Sequence, residues 1–168
     1  MEIFLTILSG VIVFILGQLA LKLLIEPIQE FKKTVADIAH ALIEYANIYA
    51  NPGVVSNESE KKASEELRKL SSRLNAQMYL IPFYQIIAKI FGLPPRDKLV
   101  GAANDLIGLS NGVFKSSSDL VDLEHINLAR AERIRNTLGI YVPENERLNR
   151  INLLKPQSNT ALERTEQE

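Results

Sequence analysis

The chain holds two histidines, and each stands three residues after an aspartate: Asp37 with His40, and Asp122 with His125. On helices a carboxylate and an imidazole at that spacing share a face. Two such pairs with added carboxylates, such as Glu44 one turn beyond His40, form the donor set of a bundle metalloprotein. Helical phase opposes that reading. At about 100° per residue, His40 lies opposite Ile38 and Leu42, and His125 lies opposite Ala131 and Ile134. Both pairs are expected to face water or a partner rather than each other, so no metal and no cofactor is assigned.

Other chemistries have less support. Without cysteine there is no thiol nucleophile, disulfide, thiolate zinc site or palmitoylation site. No serine sits in a strand-turn-helix setting, and no glycine-rich loop is built for phosphate. The expectation is a non-enzyme with no evident small-molecule substrate. Arg130, Arg133, Arg135, Arg147 and Arg150 are interspersed with Glu124, Glu132, Glu144 and Glu146, and the net charge is −1. That pattern reads as an exposed salt-bridged face, and no nucleic-acid partner follows from it.

The strongest signal is physical rather than chemical. Residues 3–21 carry no charged side chain, and with Leu23, Leu24 and Ile25 they are long enough to cross a bilayer, which takes about 20 apolar residues. A cleaved signal peptide would show a positive start, a shorter core and a small-residue exit, so a retained anchor is expected. Lys22, Lys32 and Lys33 follow the span and no basic side chain precedes it. The amino-terminus is therefore placed outside and the carboxyl-terminal bulk in the cytoplasm. That side is the wrong one for the sequon Asn57-Glu58-Ser59 to be glycosylated. Residues 106–111 and 134–140 resemble hypothetical bacterial membrane proteins. This likeness suggests a bacterial inner membrane and no function.

The elements beyond the span read as helices. Ile28, Phe31, Val35, Ile38, Leu42, Tyr45 and Tyr49 alternate steps of three and four, a heptad seam on a first helix ending near Ala50 at the turn Asn51-Pro52-Gly53. Projected back into the span, the same phase collects Gly10 and Gly17, with Gln18 alongside. Small residues and an amide of this kind serve helix contacts in lipid, although glycine is also simply common there. The candidate helix-association face is thus Gly10, Gly17, Gln18, Phe31, Val35, Ile38 and Leu42. Asn57 and Glu60 read as the capping box of a second helix with the stripe Ala63, Leu67, Leu70, Leu74, Met78 and Ile81. The two helices form an antiparallel hairpin.

Pro27 and Pro82 lie almost equally far from the turn at Val54, so the hairpin brings Pro82 back to the level at which the span ends. The apolar, aromatic run 83–91 that follows is too short to cross. It lies in the membrane interface or caps the bundle; an ordinary buried helix fits as well. Candidate interface contacts are Lys22, Phe83, Tyr84, Lys89, Phe91, Arg96 and Lys98. Each cation is worth about 1 kcal/mol on an anionic leaflet.

A third helix begins at Pro95 with the face Leu99, Ala103, Leu106, Leu109 and Val113. Gly101, Gly108 and Gly112 weaken it and suggest a break near Ser110. After a loop at residues 116–119, a fourth helix runs from Leu120 to Leu138 and ends at Gly139, with Leu120, Leu123, Asn127, Ala131, Ile134 and Leu138 inward. Asn127 in that stripe can fix register or partner, as a polar residue in a helical seam does, but a half-exposed and merely tolerated asparagine is the favoured expectation. The fold expectation is all-α: a transmembrane anchor over 1–26, a cytoplasmic helical domain over 27–140, and a polar, largely disordered tail over 141–168. The functional expectation is a single-pass protein acting through contacts as a scaffold, adaptor or small effector. Its partners are the lipid bilayer and either itself, as a homo-oligomer, or another membrane or cytoplasmic protein. The alternatives are the bundle metalloprotein and a membrane-perturbing effector.

Overall fold

The computed structural model describes residues 1–114 and 120–141, without the side chains of 120–122. The loop expected at residues 116–119, the Leu120 and Asp122 side chains, Glu144, Glu146, Arg147 and Arg150, and the tail beyond 141 lie outside the described residues. What is described is helix, turn and loop without a strand: α1 (Glu2–Ala20), a π-helical turn (Leu21–Ile25), α2 (Glu26–Glu44), α3 (Ala46–Ala50), α4 (Asn57–Leu80), α5 (Tyr84–Phe91), α6 (Arg96–Gly112) and α7 (Leu120–Leu138).

From Glu2 to Glu44 the chain is one helical rod, long and apolar enough in its first half to cross a membrane. Every residue of α1 is exposed; Leu24 is the first half-buried position and Ile28 the first buried one. The widened turn sits where that change occurs. Pro27 has no amide hydrogen and its ring crowds the carbonyl four residues back, and the preceding turn opens so that the Glu26 amide reaches the Leu21 carbonyl five residues away. The rod is interrupted again at Tyr45 (φ −97°, ψ 13°), which separates α2 from α3 where one continuous helix was expected.

The α2 seam packs inside the chain's own domain. Ile28, Phe31, Ile38, Leu42, Tyr45 and Tyr49 are buried and Val35 is half-buried. The facing stripe of α4, from Ala63 through Leu67, Leu70, Leu74 and Met78 to Ile81, is buried along its whole length. Truncating a fully buried leucine such as Leu74 costs about 2–5 kcal/mol, which is why this seam sets the hairpin. The helix begins one residue earlier than the expected capping box. Ser56 is the cap, its hydroxyl accepting from the Ser59 amide at 3.4 Å, and Glu60 is buried instead of reaching back.

Polar contacts record the register. Lys62 meets Glu44 at 3.9 Å, Arg73 meets Asp37 at 2.8 Å, and the Gln77 amide donates to the Glu30 carbonyl at 3.1 Å. Continued, this pairing sets Leu80 level with Pro27.

Helix α6 returns antiparallel along α4, with the Ser71 hydroxyl on the Ala103 carbonyl at 2.8 Å and Arg68 on Asn111 at 2.7 Å. It runs unbroken through Gly108 to Gly112, because those glycines are where α7 lies closest. A Cβ at Gly108 would stand 2.6 Å from the Arg130 Nε, and one at Gly112 would collide with the Asn127 side chain. Asn127 is fully buried, contrary to expectation. Its amide donates to the Gly112 carbonyl at 2.7 Å and the Tyr49 carbonyl at 3.0 Å, tying α7 to the ends of α6 and α3. The structure corrects the arginine face too. Arg133 forms a two-pronged pair with Asp105, half-buried Arg130 donates to the Gly108 carbonyl, and Arg135 meets Glu132 at 3.9 Å but is buried, donating to the Tyr49 hydroxyl.

Candidate membrane-interface site

Helix α4 stops at Leu80 because Pro82 follows. Ile81 takes the extended geometry that a residue before proline prefers. Phe83 then adopts the left-handed conformation (φ 47°, ψ 43°), which costs a non-glycine residue about 1–2 kcal/mol, and α5 leaves at a new angle. The helix has two faces. Tyr84, Ile87 and Ala88 are buried against the domain, while Ile86 and Ile90 point outward.

Among the described residues nothing covers the Phe83 ring, which is 81% exposed. With Tyr79, Leu80, Ile86, Ile90 and the partly exposed Phe91 it forms a ridge of uncovered apolar side chains at one end of the domain. An exposed cluster of this kind marks a surface that meets a partner or a membrane. The hairpin register sets this end level with the close of the exposed apolar rod.

Arg96, in the first turn of α6, anchors the polar side of the same end. Its guanidinium stands 5.5 Å from the ring centre of Tyr79 and 6.0 Å from that of Tyr84. The attraction of a cation for the aromatic face holds the side chain without neutralising it. Tyr84 donates its hydroxyl to the Pro94 carbonyl at 2.7 Å, and burial pushes its phenol up to about 12 although the nearby Arg96 charge opposes the shift. Beside it opens a cavity of about 600 Å³ between α5 and the start of α6, with Ala88 and Leu93 as apolar wall and Lys89, Arg96 and Asp97 as charged rim.

The other sequence candidates are distributed differently. Of the association face, Phe31, Ile38 and Leu42 are buried under the domain and Val35 is half-buried, while Gly10, Gly17 and Gln18 stand exposed on α1 with open space around both glycines. Of the interface contacts, Lys22, Phe83, Lys89, Phe91, Arg96 and Lys98 are exposed and Tyr84 is buried. Asp37 is engaged by Arg73, His40 is exposed 3.4 Å from Glu44, and His125 is exposed. Among the described residues no three metal-ligating side chains converge.

Sequence reasoning missed Tyr79, Leu80, Ile86 and Ile90, though Phe83, Ile86 and Ile90 recur at helical spacing. It raised Asn127 as a residue that could fix register but favoured tolerance, and it missed Tyr49 and Arg135 as the rest of a polar clamp.

The chain matches no known protein family, curated protein or solved structure. Its function is read from its own surface.

Proposed function

We propose that the protein is a single-pass membrane protein, its amino-terminus outside and its helical domain in the cytoplasm, which acts by contact as a scaffold or adaptor. One observation carries the reading: the exposed ridge of α5 and the end of the exposed apolar rod lie at the same level, fixed by the register of α2 on α4. A rod of this composition standing free of its own domain is satisfied by lipid, and its backbone bonds are all internal. Lys22, Lys32 and Lys33, which follow the uncharged stretch 3–21, support the orientation.

The contact function rests on what remains uncovered. The heptad seam is spent on the domain's own core, so self-association in the bilayer falls to the Gly10, Gly17 and Gln18 face of α1. The ridge and the cations near it hold the domain against the inner leaflet, which leaves its far end, with the α3–α4 turn, for a soluble partner.

Alkaline carbonate washing of vesicles and protease treatment of intact cells test the anchoring. Retention in the pellet and a protected carboxyl-terminal half are expected; extraction or digestion overturns it. Cross-linking in native membranes tests the contact role, and a strictly monomeric species without neighbours would retire it.

A further inference from the structure

We infer that the cavity between α5 and α6 is a selective site for one anionic phospholipid, with its headgroup phosphate at Arg96 and Lys89 and its acyl chain along the exposed ridge of α5. The inference rests on the anchoring proposed above, and it names a ligand that anchoring alone does not require.

Cations at the two ends of the domain differ in what they meet. Away from the membrane-level end, Lys61, Lys62, Lys69, Arg73 and Arg133 each meet a carboxylate, while Arg68 donates to the Asn111 amide oxygen and Arg130 to the Gly108 carbonyl. At the membrane-level end the pattern reverses. Among the described residues none of Lys22, Lys32, Lys33, Lys89, Arg96 and Lys98 forms an ion pair, and only Glu26, Glu30 and Asp97 oppose those six charges there. The surplus of three positive charges faces the headgroup layer. An anionic leaflet is the complement to such a surface.

The shape of the cavity favours the same ligand. At about 600 Å³ it exceeds what one side chain or a few waters fill, and falls in the range of small-molecule sites. Ala88 and Leu93 give it an apolar wall and its rim is cationic, and across Tyr84, Gln85 and Arg96 it adjoins a second hollow lined by Tyr79, Phe83 and Ile86 of the exposed ridge. A phospholipid has the same division. Arg96 is held by two tyrosine rings, so its planar fork is pre-set for a phosphate. Asp97 is the one carboxylate on the rim. It sits in the first turn of α6, where the helix dipole favours it, and it can accept from the hydroxyls of a glycerol or inositol headgroup.

The test uses the full chain in nanodiscs of equal parts phosphatidylcholine, phosphatidylethanolamine and phosphatidylglycerol. Lipid retained after mild detergent transfer is counted by native mass spectrometry. Wild type is expected to keep phosphatidylglycerol at least fivefold over its share of the bilayer. Arg96→Gln and Lys89→Gln each return retention to the bulk ratio, while Lys61→Gln at the far end does not. Lys89 is exposed and unpaired, so its variant keeps the fold even if the Arg96 variant does not. Retention at the bulk ratio by wild type, preference for phosphatidylethanolamine, or unchanged retention by Lys89→Gln each overturns the site. A chain that never enters the discs fails at the anchoring step, and that result differs from all three.

Discussion

The side-chain amide of Gln77, near the end of α4, donates to the main-chain carbonyl of Glu30, in the first turns of α2, across 3.1 Å. Gln77 is 6% exposed and its own amide oxygen has no hydrogen-bond partner. It is therefore a register pin rather than a strong stabiliser. Replacing it with leucine removes a buried unsatisfied acceptor at similar volume, and is expected to leave stability unchanged or raise it by about 1 kcal/mol. Gln77→Ala leaves a void, and is expected to cost about 1–3 kcal/mol. Urea unfolding of the detergent-solubilised chain separates the two; a leucine variant as damaged as the alanine variant would mean the bond itself matters most.

Asn127 is expected to be far more costly. Its amide serves two backbone carbonyls in a fully buried setting, and Asn127→Ala strips both of their partner, a loss of about 2–4 kcal/mol. Gly112→Ala is expected to be comparably damaging because its methyl group collides with the same side chain. The two are not independent. Removing the asparagine makes room for the methyl group, so the double variant should lose clearly less than the sum. Additive losses in a double-mutant cycle would show that the close approach of α6 and α7 does not depend on this pair.

These two residues also mark where the sequence stops being readable. The stripes on α2, α4 and α6 were legible because each repeats at helical period, and the hairpin level was legible because Pro27 and Pro82 are symmetric about one turn. Asn127, Arg130 and Arg135 were not, since one polar residue in a stripe looks the same whether it meets water or a carbonyl on a helix 78 positions away, as Asn127 does with Tyr49. Gly108 and Gly112 read as weak points of a helix. Their real cause, the passage of α7, lies in tertiary structure. The uncovered ridge was half legible: composition singled out 83–91 as the most apolar stretch beyond the first helix, but which of its side chains remain uncovered depended on the left-handed turn at Phe83.

That turn carries its own prediction. Phe83 holds a positive φ with its ring uncovered, so among the described residues no packing offsets the strain. Phe83→Gly is expected to stabilise the domain in detergent by up to about 1 kcal/mol. The same change removes an aromatic from the ridge, so binding of the domain to bilayers should weaken. A loss of stability in detergent would show that the ring is covered by something in the folded protein.

Alkali offers a check on the packing of α5. The Tyr84 phenol lies near 12 in the fold against about 10 in an unfolded chain, so its stabilising contribution is complete below pH 10 and is lost as pH rises towards 12. Tyr45 is also raised, chiefly by burial and then by Glu44 and Glu66, and adds a fall in the same direction. Tyr84→Phe gives up the hydrogen bond to Pro94, which makes it less stable at neutral pH, yet its stability should decline less between pH 10 and 12. Parallel curves for the two proteins, from denaturant unfolding at stepped pH, would place the Tyr84 hydroxyl in solvent.

The absence of cysteine allows the position of α5 to be mapped directly. Val54, at the far turn of the hairpin, is 78% exposed, and Ile86 and Ile90 on the ridge are 61% and 69% exposed. Judged by the protein alone, single cysteines at these three positions should react with a polar maleimide at similar rates. With the full chain in lipid vesicles and the domain accessible, Val54→Cys should react at the solvent rate, while Ile86→Cys and Ile90→Cys slow by tenfold or more because thiols within the interface are screened from a charged reagent and ionise poorly. Detergent too short-chained to mimic a bilayer surface should bring the three rates together again. Equal rates in vesicles would mean that the ridge stands clear of the membrane, and its uncovered side chains would then have to be assigned to a protein partner.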